Sequence, residues 1–351
     1  MRARQGCADH RRTGVSAAAA NGLDIGRSGK NLRPAVPRWR DRRRYRRAVP
    51  ERPPPILVTG AHRSGTTWVG RMLALAPGVG YVHEPFNPRF SAGAFERYFT
   101  VVTAENQARY AAELERALGF RYELGTRLRK RHRPRDVARS LRDLARTERL
   151  RRRSPQPLVK DPIALLSAEW LAERFGMEVV VLIRHPAAFA ASLKRLGWKH
   201  SFATFFEDGE LPEILRPFER EIREQAERPG AILDQAALLW RLLYHAVDGY
   251  RERHPDWIFL RHEDASLEPL STFERLYERL GLELTPTARG AIERATASDN
   301  PAAPTSPHAV ELDSAASLGR WRADLTAEEV ETLRERTRDV WPRFYTDADW
   351  A

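Results

Sequence analysis

One segment of the chain combines a cation and several hydroxyl groups at a spacing that suits an anion. It reads GAHRSGTTW from Gly60 to Trp68 and follows a short apolar run, which predicts a strand, a tight turn and the start of a helix. The first N–H groups of a helix have no partner within it and lie at the positive end of its dipole. The sequence therefore predicts a phosphate-type site formed by Arg63, Ser64, Gly65, Thr66 and Thr67.

A second segment places an arginine and a serine eight positions apart. Met177 to Ile183 is an almost continuous apolar run, typical of a central parallel strand, and Arg184 follows it directly. Ser192 lies on the helix predicted from Ala187 to about Leu196. Two separated donors of this kind can hold one phosphate. The alternative is a strand-end arginine with a serine on a solvated helix face.

These two segments resemble the cofactor motifs of the sulfotransferases that use 3'-phosphoadenosine 5'-phosphosulfate (PAPS). RSGTTW, from Arg63 to Trp68, resembles their 5'-phosphosulfate loop, with arginine where many members have lysine. Arg184 with Ser192 resembles their 3'-phosphate motif. The resemblance, which covers most of residues 54–345, implies PAPS as the co-substrate. It also implies that Trp68 stacks on the adenine, and the alternative for Trp68 is a core aromatic residue.

The resemblance also implies catalytic roles for charged residues that follow predicted strands. Arg63 and Lys160 would lie near the transferring sulfuryl group, and the alternative for Lys160 is a surface ion pair with Asp161. Glu84, in HEP, resembles the glutamate of bacterial and carbohydrate sulfotransferases that takes the acceptor proton. His83 and Asp161 are substitutes, and a structural ion pair is the alternative role of Glu84.

Three further segments bear on ligands. Gly319 to Arg322 matches, loosely, a late basic segment that the family brings over the 3'-phosphate, so Arg320 is a predicted ligand, with a structural role as the alternative. His262 to Asp264 is the one candidate metal cluster, but adjacent residues in a loop rarely converge on one ion, and no metal site is predicted. Aromatic residues that either line an acceptor pocket or belong to the core are Trp198, Phe202, Phe205 and Phe206.

The order of apolar runs and helical segments predicts the fold. Short strands are predicted to begin at Ile56, Gly80, Pro157, Met177 and Asp256. Strands that alternate with helices predict a parallel sheet with helices on both faces. We therefore predict an α/β protein with a P-loop-like three-layer fold, a central parallel sheet flanked by helices, over residues 51–351. The arginine-rich stretch at 91–153 predicts a helical insertion within it.

The formal charge of +12 is concentrated in one part of the 351-residue chain. Residues 1–50 contain thirteen Arg, one Lys and three Asp, a net +11, and too few apolar residues to fold alone, so this tail is predicted to be disordered. The remaining residues are almost neutral, which disfavours nucleic-acid binding as the main function. If the chain were instead a nucleic-acid-binding module, deletion of the tail would abolish its activity.

A nucleotide kinase or NTPase on the same fold is the second alternative. It is disfavoured because Thr66 stands where the phosphate-binding lysine belongs, and because the apolar strand from Met177 ends in Arg184 without an aspartate for Mg²⁺.

The only cysteine is Cys7, and the sequence shows no signal peptide or membrane-spanning run, so a cytoplasmic location is expected. The expected partners are PAPS and an acceptor: a hydroxyl or amine of a glycan, lipid or small metabolite.

Overall fold

The computed structural model describes residues 53–121, 148, 151–153, 155–207, 209–301 and 311–351. The tail at 1–50 that we predicted to be disordered lies outside these residues, as does the part of the predicted helical insertion at 122–147. The described start of that insertion contains a 3-10 turn at Gln107–Arg109 and a helix at Ala111–Leu118. No helix within the described ranges is long and apolar enough to cross a bilayer.

Five parallel strands form the sheet, and their order in space is β2–β3–β1–β4–β5. Their bounds are Ile56–Gly60 (β1), Val79–His83 (β2), Gln156–Lys160 (β3), Glu178–Ile183 (β4) and Ile258–Arg261 (β5). In the register of β1, Ile56 lies opposite Leu158 of β3 and Glu178 of β4. The five strands that the apolar runs predict are thus confirmed, with ends that differ by one or two residues.

Helices cover both faces of the sheet. In chain order they are Thr66–Leu73 (α1), Ala111–Leu118 (α2), Ala168–Phe175 (α3), Pro186–Leu196 (α4), Glu219–Glu227 (α5), Ile232–Arg253 (α6), His262–Leu267 (α7), Pro269–Arg279 (α8), Pro286–Thr296 (α9), Trp321–Asp324 (α10) and Ala327–Arg336 (α11). Side chains of a strand alternate between faces. Ile56 and Val58 accordingly pack with α1, α8 and α9, whereas Leu57 packs with α3, α4 and α6. The three-layer α/β fold is therefore confirmed.

The carboxyl edge of the sheet carries every strand-end residue singled out in the sequence. Because the strands are parallel, their C-terminal ends meet at this edge. The residues that follow or end the strands are, in spatial order, Glu84 (β2), Lys160 (β3), the turn after Gly60 (β1), Arg184 (β4) and His262 (β5). The turn after β1 therefore lies centrally, with Glu84 and Lys160 on one side of it and Arg184 and His262 on the other.

Asp161 ties three strand ends together at this edge. Its carboxylate accepts the backbone N–H of Phe86, at 2.6 Å, and of Ile163, at 2.9 Å. Its carbonyl accepts the Thr59 hydroxyl at 2.8 Å, and its N–H donates to the Val58 carbonyl at 3.0 Å. Asp161 is fully buried, and these bonds fix the loops after β1, β2 and β3 relative to one another.

Replacing Asp161 with Ala should destabilise the fold. The change leaves the buried N–H groups of Phe86 and Ile163 without acceptors, at roughly 1–3 kcal/mol for each group. Asp161→Asn is the matched control, because its remaining oxygen can still cap Ile163 and the loss should be smaller. Urea unfolding followed by circular dichroism measures both variants. An unchanged unfolding midpoint for Asp161→Ala would refute this role.

Candidate active site

The turn between β1 and α1 is a tight loop with left-handed backbone at three positions. Gly60, Arg63 and Gly65 have φ of 141°, 67° and 92°. A Cβ at Gly60 would collide with the carbonyl oxygen of Leu182 in β4, and one at Gly65 would lie 2.6 Å from Nδ1 of His262. Only glycine fits at these two positions, because the left-handed conformation and the close approach both exclude a side chain.

Helix α1 begins at Thr66 directly after this turn. Gly65 is its N-cap residue and supplies no side-chain hydrogen bond to the first N–H groups, and no acidic residue lies in the first turn. The positive end of the helix is thus left for an external anion. Ser64 is fully buried and its hydroxyl donates to the Ala61 carbonyl, so the hydroxyls that border the site from this loop are those of Thr66 and Thr67.

A cavity opens at the N-terminus of α1, over the β1–β4–β5 part of the sheet edge. Its walls come from the turn and α1, from α4, from the residues that follow β5, and from residues within 295–296 and 312–324. Predicted ligands that line it are Arg63, Gly65, Thr66, Thr67, Trp68, Arg184, Ser192 and Arg320. The structure thus brings together all the predicted cofactor residues except Ser64.

The two predicted phosphate motifs touch each other directly. Nε of Arg63 donates to Oγ of Ser192 at 3.0 Å, across 129 residues of sequence. A guanidinium nitrogen of Arg184 donates to the Arg63 carbonyl oxygen. The loop after β1 and the turn after β4 are therefore one continuous polar surface, and the orientation of Arg184 depends on the backbone of the phosphate loop.

The cavity is electrically positive. Four arginines line it: Arg63, Arg184, Arg195 and Arg320. Burial, followed by repulsion from Arg184 and Arg195, lowers the pKa of Arg63 to about 10, and burial also lowers that of Arg184. Arg63 is still charged near neutral pH. Burial keeps the pKa of His262 well below its usual value, so this imidazole is neutral and adds no charge.

Four side chains of the cavity carry a buried polar atom that has no hydrogen-bond partner among the described residues. They are Trp68 through Nε1, Arg184 through Nε, His262 through Nδ1 and Arg320 through Nη1. Native proteins rarely leave such atoms unpaired. Because the tryptophan and arginine atoms are donors, the cavity fits a ligand that supplies several acceptor oxygens or nitrogens.

Asp324 and Arg195 are cavity residues that the sequence did not reveal. The Asp324 carboxylate pairs with Arg195 and lies 3.6 Å from Nε of Arg320. Arg195 could have been found, because it lies three residues after Ser192 and so on the same face of α4. No spacing in the sequence indicated that His262 would line the cavity. It reaches the cavity only because β5 lies beside β4, and Glu263, its neighbour, instead accepts the His185 N–H at 3.0 Å.

Glu84 and Lys160 form a buried ion pair beside the β1 turn, outside the cavity lining. Lys160 is fully buried, so the surface ion pair with Asp161 weighed from the sequence is wrong. Asn87 donates to the second oxygen of Glu84 at 2.7 Å. Burial would raise the pKa of Glu84, but attraction to Lys160 and His83, together with the hydrogen bonds from Lys160 and Asn87, holds that pKa below its usual value. Glu84 is thus ionised at neutral pH.

Of the substitute bases, Asp161 is poorly placed, because it is fully buried and both carboxylate oxygens accept backbone N–H groups. His83 is half-buried between the rings of Tyr81 and Phe90.

Among the aromatic residues considered for an acceptor pocket, Phe202 and Phe205 are buried in the core. Trp198 is 42% exposed, and the Arg63 guanidinium lies 5.8 Å from its ring centre.

Comparisons with known proteins gave one family match and several similar solved structures. The sequence model of the sulfotransferase family matches residues 54–286. Similar solved structures include the sulfotransferase domain of the olefin synthase of Synechococcus PCC 7002, at 16% identity and a TM-score of 0.44, covering 85% of this chain and 96% of that one. A second is the sulfotransferase domain from the curacin biosynthetic pathway, at 13% identity and a TM-score of 0.44, covering 82% and 99%.

A third similar structure is a sulfotransferase of Mycobacterium tuberculosis H37Rv, at 18% identity and a TM-score of 0.39, covering 85% of this chain and 81% of that one. No curated protein matches the sequence. The assignment therefore depends on the family sequence model, which matches well over half of the chain. On that match, the chain belongs to the sulfotransferase family.

Proposed function

We propose that this protein transfers a sulfuryl group from PAPS to a hydroxyl or amine of an acceptor molecule. The single observation that carries the proposal is the set of unpaired buried polar atoms on Trp68, Arg184, His262 and Arg320, four residues that all line one cationic cavity. A nucleotide with two phosphate groups and an adenine ring offers the acceptors that these atoms lack.

Each end of the nucleotide has a proposed partner. The N–H groups at the start of α1, with Thr66 and Thr67, would hold the 5'-phosphosulfate, because they present donors at the positive end of a helix. Arg184 and Ser192 would hold the 3'-phosphate, with Arg320 from the opposite wall. Trp68, 9% exposed and bordering the cavity, is proposed as the adenine contact.

The chemistry requires an in-line approach of the acceptor and a destination for its proton. When bound, PAPS supplies a sulfuryl group on an activated phosphate oxygen. The acceptor oxygen forms the new bond to sulfur while the bond from sulfur to that phosphate oxygen breaks. Arg63 and Lys160 are proposed to stabilise negative charge on the leaving oxygen and the sulfuryl group. Glu84 is proposed to accept the acceptor's proton, leaving adenosine 3',5'-bisphosphate and the sulfated product.

The acceptor class remains a glycan, a lipid or a small metabolite. Trp198 supports a ring-bearing or apolar acceptor, since it is an exposed aromatic residue beside Arg63. Transfer from labelled PAPS to a panel that includes a phenol, a hexose and a long-chain alcohol identifies the class.

Adenosine 3',5'-bisphosphate should raise the melting temperature more than AMP does, because only the former reaches Arg184 and Ser192. Arg184→Ala should weaken bisphosphate binding by about 1.5–3 kcal/mol, or roughly 10- to 140-fold in Kd, and remove most of the difference between the two nucleotides. Scanning fluorimetry and titration calorimetry measure these effects. The control is Arg223→Ala, which breaks an exposed ion pair with Glu219 on α5 and should leave both affinities unchanged. Equal shifts from the two nucleotides would refute the use of PAPS.

Glu84→Gln should lower turnover by about 10²-fold or more while bisphosphate affinity stays near the wild-type value. Because Glu84 stays ionised below its ordinary pKa of 4.5, wild-type turnover should hold constant from neutral pH down to that value and fall only below it. Activity against pH, measured with an alcohol acceptor from the panel, provides both results.

Glu84→Gln also removes the counter-ion of buried Lys160, so its stability must be measured alongside its activity. The unpaired ammonium should cost about 3–5 kcal/mol in the free energy of unfolding. The double variant Glu84→Gln with Lys160→Met should regain most of that loss and remain inactive. Near-normal turnover in Glu84→Gln would instead assign Glu84 a structural role.

A further inference from the structure

The turn that follows β4 has its backbone held by side chains from two distant elements. The Arg184 N–H donates to the Tyr244 hydroxyl at 2.8 Å, and the Arg184 carbonyl accepts from Nε1 of Trp240 at 2.9 Å, both residues being in α6. The next N–H, of His185, donates to Glu263 of α7 at 3.0 Å. Three consecutive backbone groups are thus fixed by side chains.

Pro186 fixes the exit from this turn. A residue before proline is restricted to extended backbone, and His185 has φ of −54° and ψ of 135°. With β4 fixing the entry, the intervening peptide is held at its carbonyl by Trp240 and at its N–H by Glu263. Small changes there would swing the Arg184 side chain at the cavity wall.

The second oxygen of Glu263 reaches the C-terminal segment, which we define as residues 337–351. It accepts the Tyr345 hydroxyl at 2.9 Å. Tyr345 is buried, its ring packs edge-on against His185 at 4.9 Å, and the Arg261 guanidinium lies 4.5 Å from the ring centre. Tyr345 therefore contacts both the Glu263 carboxylate and the His185 imidazole, the two groups next to the Arg184 backbone.

The C-terminal segment is itself anchored. Thr346 and Asp349 form a capping box, and Asp349 also pairs with Arg261 at the end of β5. Trp350 packs against His185 with ring centres 4.4 Å apart. This segment lies beyond residues 54–286, the part that the family sequence model matches. The support for Arg184 thus comes partly from a region that the family match does not cover.

We propose that Glu263 and Tyr345 are positioning residues, whose hydrogen-bonded pair holds the Arg184–His185 turn so that Arg184 meets the 3'-phosphate of the sulfuryl donor. The proposal rests on the proposed function. A charge-assisted phosphate contact requires its donor within about 0.5 Å of the productive position. Neither Glu263 nor Tyr345 lines the cavity, so their loss should change selectivity for the 3'-phosphate without removing a proposed ligand.

The test compares the Kd of adenosine 3',5'-bisphosphate with that of AMP by titration calorimetry. In Tyr345→Phe the ratio of the two affinities should fall by about 5- to 10-fold, through weaker bisphosphate binding, while the Kd of AMP changes less than about twofold. Glu263→Met should act in the same direction. Glu263→Gln should keep the wild-type ratio, because its amide can still accept from His185 and donate to Tyr345.

Tyr250→Phe is the matched control. Tyr250 is equally buried, and its hydroxyl donates to the Leu165 carbonyl at 3.1 Å, away from the cavity lining. Both tyrosine variants should lose a similar amount of thermal stability, but only Tyr345→Phe should lose selectivity. If the wild type and Tyr345→Phe discriminate equally, the positioning role is refuted and the proposed function stands. If the wild type does not discriminate, both are refuted.

Discussion

The site depends on the close packing of the turn between β1 and α1 against β4 and against the residue that follows β5. Gly60 runs against the backbone of β4, and Gly65 runs against the ring of His262, in conformations that a side chain would not tolerate. The turn leads directly into α1, whose first N–H groups donate no hydrogen bond to the side chain of an N-cap residue. It also brings Arg63 onto Ser192 and Arg184, so a single steric constraint joins elements that are more than a hundred residues apart.

Much of the fold followed from short-range sequence patterns. Continuous apolar runs predicted the five strands, because parallel strands buried on both faces need no polar alternation. The residues at their ends, such as Lys160 and Arg184, were therefore placed at the correct edge of the sheet. Thr326 and Glu329 form a capping box at the start of α11, as their three-residue spacing indicates.

What the sequence could not provide was the choice of partner across the sheet edge. For Lys160, neighbouring Asp161 was the partner considered. Both carboxylate oxygens of Asp161, however, accept backbone N–H groups, and Lys160 pairs with Glu84 instead. That pairing follows from β2 lying beside β3, which strand order in sequence does not reveal. Likewise, Glu263 and Tyr345 belong to no motif and meet only through tertiary packing.

The cluster of arginines in the cavity favours binding of an anion but lowers the stability of the folded chain. Burial takes Arg63 and Arg184 partly out of water, and their mutual repulsion adds to that cost, while Asp324 neutralises only part of the charge. Unfolding relieves this repulsion and an anion relieves it without unfolding. Without a bound anion, this repulsion should lower the free energy of unfolding of the protein. Sulfate or phosphate in a buffer should raise that free energy again by binding between the arginines.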